Sequence, residues 1–116
     1  MKIGKTLNGI VVYEILPDGC LNGVYSNTHK DTKNQIFNEM ARKNSLFDED
    51  KIDGIYACSN IDLANLVYTC ELDIANTNNQ YTLKWYEITS KRNRILKFEG
   101  IGWRTRKNQL TVMYWD

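Results

Sequence analysis

Side chains alternate with a period of two along most of this chain, and short polar turns interrupt the alternation. Tyr68, Cys70, Leu72 and Ile74 alternate with Thr69, Glu71 and Asp73. Tyr81, Leu83 and Trp85 alternate with Thr82, Lys84 and Tyr86, and Leu110, Val112 and Tyr114 with Thr111, Met113 and Trp115. In an extended strand successive side chains point to opposite faces, so this pattern gives each strand one face for a core. The same reading places strands at 8–16, 20–27, 52–59, 66–75, 81–86, 95–103 and 110–115. Turns punctuate them. Pro17-Asp18-Gly19 closes a first hairpin, because Pro presets φ and Gly tolerates positive φ. Asn76-Thr77-Asn78-Asn79, a segment near 90–93 and the basic stretch 104–108 turn the chain later.

One segment breaks the pattern. Thr32-Lys33-Asn34-Gln35 has the spacing of a capping box, and Ile36, Phe37, Met40 and Ala41 fall on one helical face. Asn38, Glu39, Arg42 and Lys43 occupy the other, which predicts one short helix near 33–44. Asn8-Gly9, Asn22-Gly23 and Asp53-Gly54 each precede a β-branched residue, and Gly100 and Gly102 lie within a strand. Glycine inside a strand commonly marks a bulge or bend, which a sheet needs in order to curl. The expected fold is therefore mainly β: an antiparallel meander of about seven strands curled into a barrel or half-barrel, with one short helix. At 116 residues the chain fits a single domain spanning 1–116.

The second half carries an ordered set of motifs: Asp53-Gly54-Ile55-Tyr56, Tyr68-Thr69-Cys70-Glu71-Leu72-Asp73-Ile74, Tyr81-Thr82-Leu83-Lys84-Trp85, Phe98-Glu99-Gly100-Ile101-Gly102-Trp103 and Gln109-Leu110-Thr111-Val112-Met113-Tyr114. Over about residues 53–115 this order resembles a repeat in small bacterial β-proteins with a calycin-like barrel, of the lipocalin or avidin type. Tyr68 to Cys70 departs from the glycine often found there. The resemblance implies an up-and-down barrel and carries no activity with it.

Charge and cysteine content bound the setting. Residues 1–80 hold 7 basic and 11 acidic side chains, whereas residues 84–107 hold 8 basic and 2 acidic. Such asymmetry can mark a nucleic-acid or acidic partner. Cys20, Cys58 and Cys70 are an odd number without paired spacing, which argues for free thiols in a reducing compartment. No signal-like or membrane-spanning run is visible, and the expected location is the cytoplasm.

No motif identifies an enzyme or a cofactor. The single histidine, His29, stands in a polar loop, and Cys58 and Cys70 lack the further ligands a zinc site needs, so both read as small buried hydrophobes. Nothing in the spacing pairs Cys20 with His29 as nucleophile and base. Glu99 shares parity with Lys97 and reads as solvated, leaving Leu96 and Phe98 inside. Two basic clusters, Lys91-Arg92-Asn93-Arg94 and Trp103-Arg104-Thr105-Arg106-Lys107, lie at opposite ends of one strand. They form one patch for single-stranded nucleic acid only if the sheet curls strongly.

The remaining candidate is a ligand site. Tyr56, Tyr68, Tyr81, Trp85, Phe98 and Tyr114 would line a curled sheet and offer phenol and indole donors at its rim. The same aromatics could equally fill a small barrel as core. The sequence thus leads to a non-enzymatic binding module holding a small apolar or sugar-like molecule. The alternative is a protein-interaction or inhibitor protein, using 34–43 and the acidic Asp48-Glu49-Asp50 as its surface. An exposed edge at 8–16 or 110–115 would give a homodimer by strand pairing.

Overall fold

A computed structural model describes residues 9–27, 37–43, 51–61 and 67–116. Eight strands run in chain order: β1 (Gly9–Ile15), β2 (Cys20–Asn27), β3 (Phe37–Lys43), β4 (Gly54–Ile61), β5 (Val67–Thr77), β6 (Gln80–Ile88), β7 (Arg94–Arg106) and β8 (Gln109–Trp115). Each pairs antiparallel with the next, and β8 pairs with β1 to close the barrel. The two edges that could have offered a homodimer, β1 and β8, are therefore joined to each other from Gly9–Tyr114 to Glu14–Gln109. Closure satisfies the backbone groups that an open edge leaves to water.

The alternation read from the sequence decides which residues enter the core. Val11, Tyr13 and Ile15 of β1 point inward, as do Leu72 and Ile74 of β5. Tyr81, Leu83 and Trp85 of β6 join them, with Leu110, Val112 and Tyr114 of β8. Turn chemistry fixes the registers. Asn78 and Asn79 both adopt positive φ, the conformation of the tight two-residue hairpin whose twist matches its strands, so Thr77 faces Gln80. At the first hairpin Gly19 has φ 90°, and the Asp18 side chain accepts the Cys20 N–H at 3.1 Å.

The helix expected near 33–44 is not formed over its described part, residues 37–43, which is strand β3; residues 33–36 and 44 lie outside the described residues. Phe37 and Ala41 sit four apart, a spacing that puts two residues on one face of a helix and of a strand alike. The inward set is Phe37, Glu39 and Ala41, while Met40 faces outward and is 45% exposed. A carboxylate at the central inward position removed the period-two signature, and β3 makes the eighth strand where seven were expected.

The strand glycines serve close approach. A Cβ on Gly100 would come within 2.8 Å of the Met113 carbonyl oxygen and 3.2 Å of the Trp85 ring. On Gly23 it would meet the Tyr13 ring at 2.7 Å. These positions are where large inward rings lie flat against a neighbouring strand. A bulge interrupts the pairing of β6 and β7, where Trp85 faces Phe98 but Tyr86 faces Leu96, leaving Lys97 as the extra residue. It reverses the parity of β7 beyond Phe98. Phe98 turns inward as expected, but Leu96 is 45% exposed.

Candidate functional site

The two ends of the barrel are built differently. At the end carrying the β1–β2, β5–β6 and β7–β8 turns, Ile15, Leu21, Ile52, Tyr56, Ile74, Leu83 and Leu110 form a filled core. Backbone bonds tie the turns there: Ile15 N–H to the Asn108 carbonyl at 2.7 Å and Lys43 N–H to the Gly19 carbonyl at 3.1 Å. Tyr56 is fully buried, and its hydroxyl donates to the Ile52 carbonyl at 2.8 Å.

The other end holds a cavity of about 480 Å³, within the range of small-molecule sites. Val11, Tyr25, Phe98 and Tyr114 form its apolar wall, and Tyr13, Glu39 and Trp85 its floor. The aromatic rings support one another. Tyr114 meets Trp85 at 5.8 Å, Phe98 at 5.9 Å and Tyr25 at 6.4 Å between centroids, and Tyr25 stacks on Phe37 at 5.4 Å. The opening follows from strand splay. β5 and β6 pair only up to Glu71–Tyr86, so Thr69 and Cys70 on one side and Glu87 on the other border the mouth. The bulge brings Lys97 to the same rim, where its ammonium lies 3.2 Å from the Glu87 carboxylate.

Among the described residues, Glu39 is the one buried charged residue, and it is 4% exposed. The Tyr13 hydroxyl donates to its Oε2. Burial raises the Glu39 carboxyl from 4.5 to about 7, while hydrogen bonding with Tyr13, Trp85 and Asn60 pulls it back. Burial, followed by the Glu39 charge, holds the Tyr13 phenol well above its usual range, so it remains a donor. Beside Glu39, Cys58 of β4 and Cys70 of β5 are register partners, and both are free thiols. The bond with Cys70, then burial and the nearby Glu39 charge, push the Cys58 thiol far up. That is opposite to what a thiolate nucleophile requires. Asn60 completes the group, its amide donating to Cys70 Sγ at 3.9 Å.

Of the residues expected at a ligand site, Trp85, Phe98 and Tyr114 line the cavity. Tyr56 and Tyr81 do not: both belong to the core, and Tyr81 faces Gly102 beside the β5–β6 turn. The Tyr68 side chain lies outside the described residues. Tyr13, Tyr25, Glu39, Asn60 and Cys70 were missed as site residues. Tyr13 and Cys70 carried the signal of inward parity. Glu39 had none, because its strand was read as a helix.

Other candidates resolve simply. His29 lies outside the described residues, so no pairing with Cys20 is described, and burial raises the Cys20 thiol. Glu99 faces outward opposite Lys84 in the β6–β7 register. The two basic clusters lie at opposite ends of β7; Arg94 bonds Glu71 and Asp73 at 2.8 Å each and covers the Tyr86 ring at 3.9 Å. Among the described residues, no helix is long and apolar enough to cross a membrane. No protein family, curated protein or solved structure that was compared matches this chain.

Proposed function

We propose that this protein is a non-enzymatic binding module, calycin-like in architecture and cytoplasmic, that holds a small ligand in the open half of its barrel. The observation that carries this reading is the unequal filling of the interior. Among the described residues, buried side chains pack together at one end, whereas the other keeps a cavity of about 480 Å³ under a cluster of aromatic rings. A barrel of eight strands can fill itself with its own side chains, so strand number alone does not dictate an aromatic-walled space. Its lining fits a ligand that is apolar or flat on one side, for the faces of Phe98 and Tyr114, and polar at the end that meets Glu39 and Asn60.

Native mass spectrometry of gently purified protein tests the reading. A mass excess over the 13.5 kDa chain that disappears on denaturation is the expected result. A clean mass, together with unchanged intrinsic tryptophan fluorescence across a panel of amphipathic ligands, would overturn it. A second reading, a protein-interaction role, rests on Ile10, Val24 and Met40. They are 45–48% exposed on the outer faces of adjoining strands β1, β2 and β3, in a diagonal row. Of the surface first assigned to that role, residues 34–36 and 48–50 lie outside the described residues.

A further inference from the structure

Three neighbouring strands bring one metal-ligating side chain each to one corner beside the cavity. Glu39 comes from β3, Cys58 from β4 and Cys70 from β5, and their ligand atoms all lie within 4.8 Å of one another. The register explains the convergence. Cys58 and Cys70 stand directly opposite each other, and Glu39 is opposite Asn60, two residues from Cys58 on the same inward face. The third ligand that the cysteines lack in the linear sequence is thus supplied across β3.

We propose that Glu39, Cys58 and Cys70 bind a single divalent metal ion of the zinc class, with the fourth coordination position open to the cavity. Two thiolates and a carboxylate are a donor set that suits Zn²⁺, and three protein ligands with one open position is the arrangement of a ligand-accepting zinc rather than a closed structural one. Zn–S and Zn–O bonds of about 2.3 and 2.0 Å place neighbouring donors about 3.5–3.8 Å apart in a tetrahedron. The observed spread closes to that with side-chain movements of about 1 Å. Glu39 and Cys70 line the cavity and Cys58 lies behind them, so the ion sits in the wall and its free position faces the space.

The surroundings supply the outer partners such a site needs. The Tyr13 hydroxyl donates to Glu39 and orients its carboxylate, and the Asn60 amide donates to Cys70 Sγ. The electrostatics agree. A carboxylate and two thiolates gathered in one buried corner repel one another. Lys97, the lysine that lines the cavity, is engaged with Glu87 at the mouth. A divalent cation is the group that lets all three lose their protons together, releasing them to solvent as it binds.

This inference deepens the cavity reading, since the ion gives a ligand with a soft or anionic donor something to coordinate, but its test is independent. The reduced full-length protein, freed of metal with a chelator, is titrated with Co²⁺. Saturation at one ion per chain is expected, with a thiolate-to-cobalt charge-transfer band, tetrahedral ligand-field bands, and displacement by Zn²⁺. Cys58→Ser and Cys70→Ser should each remove about half of the charge-transfer intensity. Glu39→Gln should keep the band at saturation and weaken binding by more than about 100-fold, beyond the loss typical of an outer partner. Absence of a charge-transfer band in the reduced wild-type protein overturns the proposal whatever the variants do. So does equal affinity in Glu39→Gln, or purified protein holding a Cys58–Cys70 disulfide that binds no Co²⁺ after reduction. Cobalt binding by protein that never holds an organic ligand would retain the metal site and discard the ligand reading. A co-purified ligand without cobalt binding would do the reverse.

Discussion

Glu39→Gln is the substitution that most directly interrogates the cavity floor, because its effect on stability must change with pH. Burial raises the wild-type carboxyl from 4.5 to about 7 in the folded chain, so the fold prefers the protonated form. The contribution to stability is complete below the unfolded-state value and is lost as pH rises through the folded-state value. Stability therefore falls between about pH 4.5 and about pH 7 and is level beyond. The interval corresponds to about 3 kcal/mol, at ~1.4 kcal/mol for each tenfold change in proton activity. Glutamine keeps the shape and an acceptor for the Tyr13 hydroxyl but cannot ionise. The variant should match wild type near pH 4 and exceed it by about 3 kcal/mol near pH 8. In urea that gain appears as a midpoint roughly 1–3 M higher. Unfolding curves are collected for both proteins with chelator and reductant, and the difference between them is plotted against pH. All other titrating groups are common to the two chains, so their effects cancel. Of the groups facing Glu39, the Tyr13 phenol and the Cys58 thiol are both held up by burial and stay protonated in this range, and Asn60 and Trp85 do not ionise. Parallel curves from about pH 4 to about pH 8 would refute the reasoning, and with it the burial of an ionisable Glu39.

Trp85→Ala removes a large ring from the cavity floor and should cost about 3–5 kcal/mol, read as a lower urea midpoint; an unchanged midpoint would contradict the inward register of β6. Gly100→Ala should destabilise by about 1–3 kcal/mol, because its methyl group meets the Met113 carbonyl at 2.8 Å and the Trp85 ring at 3.2 Å. Neutral behaviour there would mean that β7 and β8 lie further apart than described. Replacing both Arg104 and Arg106 by alanine should leave stability within about 0.5 kcal/mol, since they flank an exposed turn where Arg104 Nε bonds the Lys107 carbonyl at 2.9 Å; strong destabilisation would make this turn structural.

The filled end of the barrel was legible because simple physics decides it. Leu83, Leu110 and Leu72 alternate with polar partners, and Asn78-Asn79 and Pro17-Asp18-Gly19 are turns whose backbone demands are written in their residue types. Position along a strand was harder to read. Tyr56 and Trp85 have the same inward parity and the same aromatic character, yet only Trp85 reaches the cavity. Which of them meets open space depends on where along the barrel axis each strand places it. That is set by inter-strand stagger, a property of pairs of strands rather than of one. The bulge at Lys97 is similar: a single extra residue exchanges inside for outside beyond Phe98, and its sequence context does not announce it.

Glu39 explains why the least legible strand is also the one that bears the site. A purely structural strand would place an apolar residue between Phe37 and Ala41, and the period-two pattern would then have been plain. A carboxylate at that point breaks the pattern and also costs stability near neutral pH, because its proton is held up to about 7. A fold keeps such a residue where something other than packing uses it. The position also narrows what that use is. The Tyr13 hydroxyl fixes one carboxylate oxygen, while Cys58 and Cys70 approach from the neighbouring strands. Glu39 is therefore held in place, set beside two soft donors and open to the cavity. Misreading β3 and missing Glu39 have one physical cause: the polar side chain that lines the cavity is the one that a sequence pattern built on hydrophobic burial assigns to the outside.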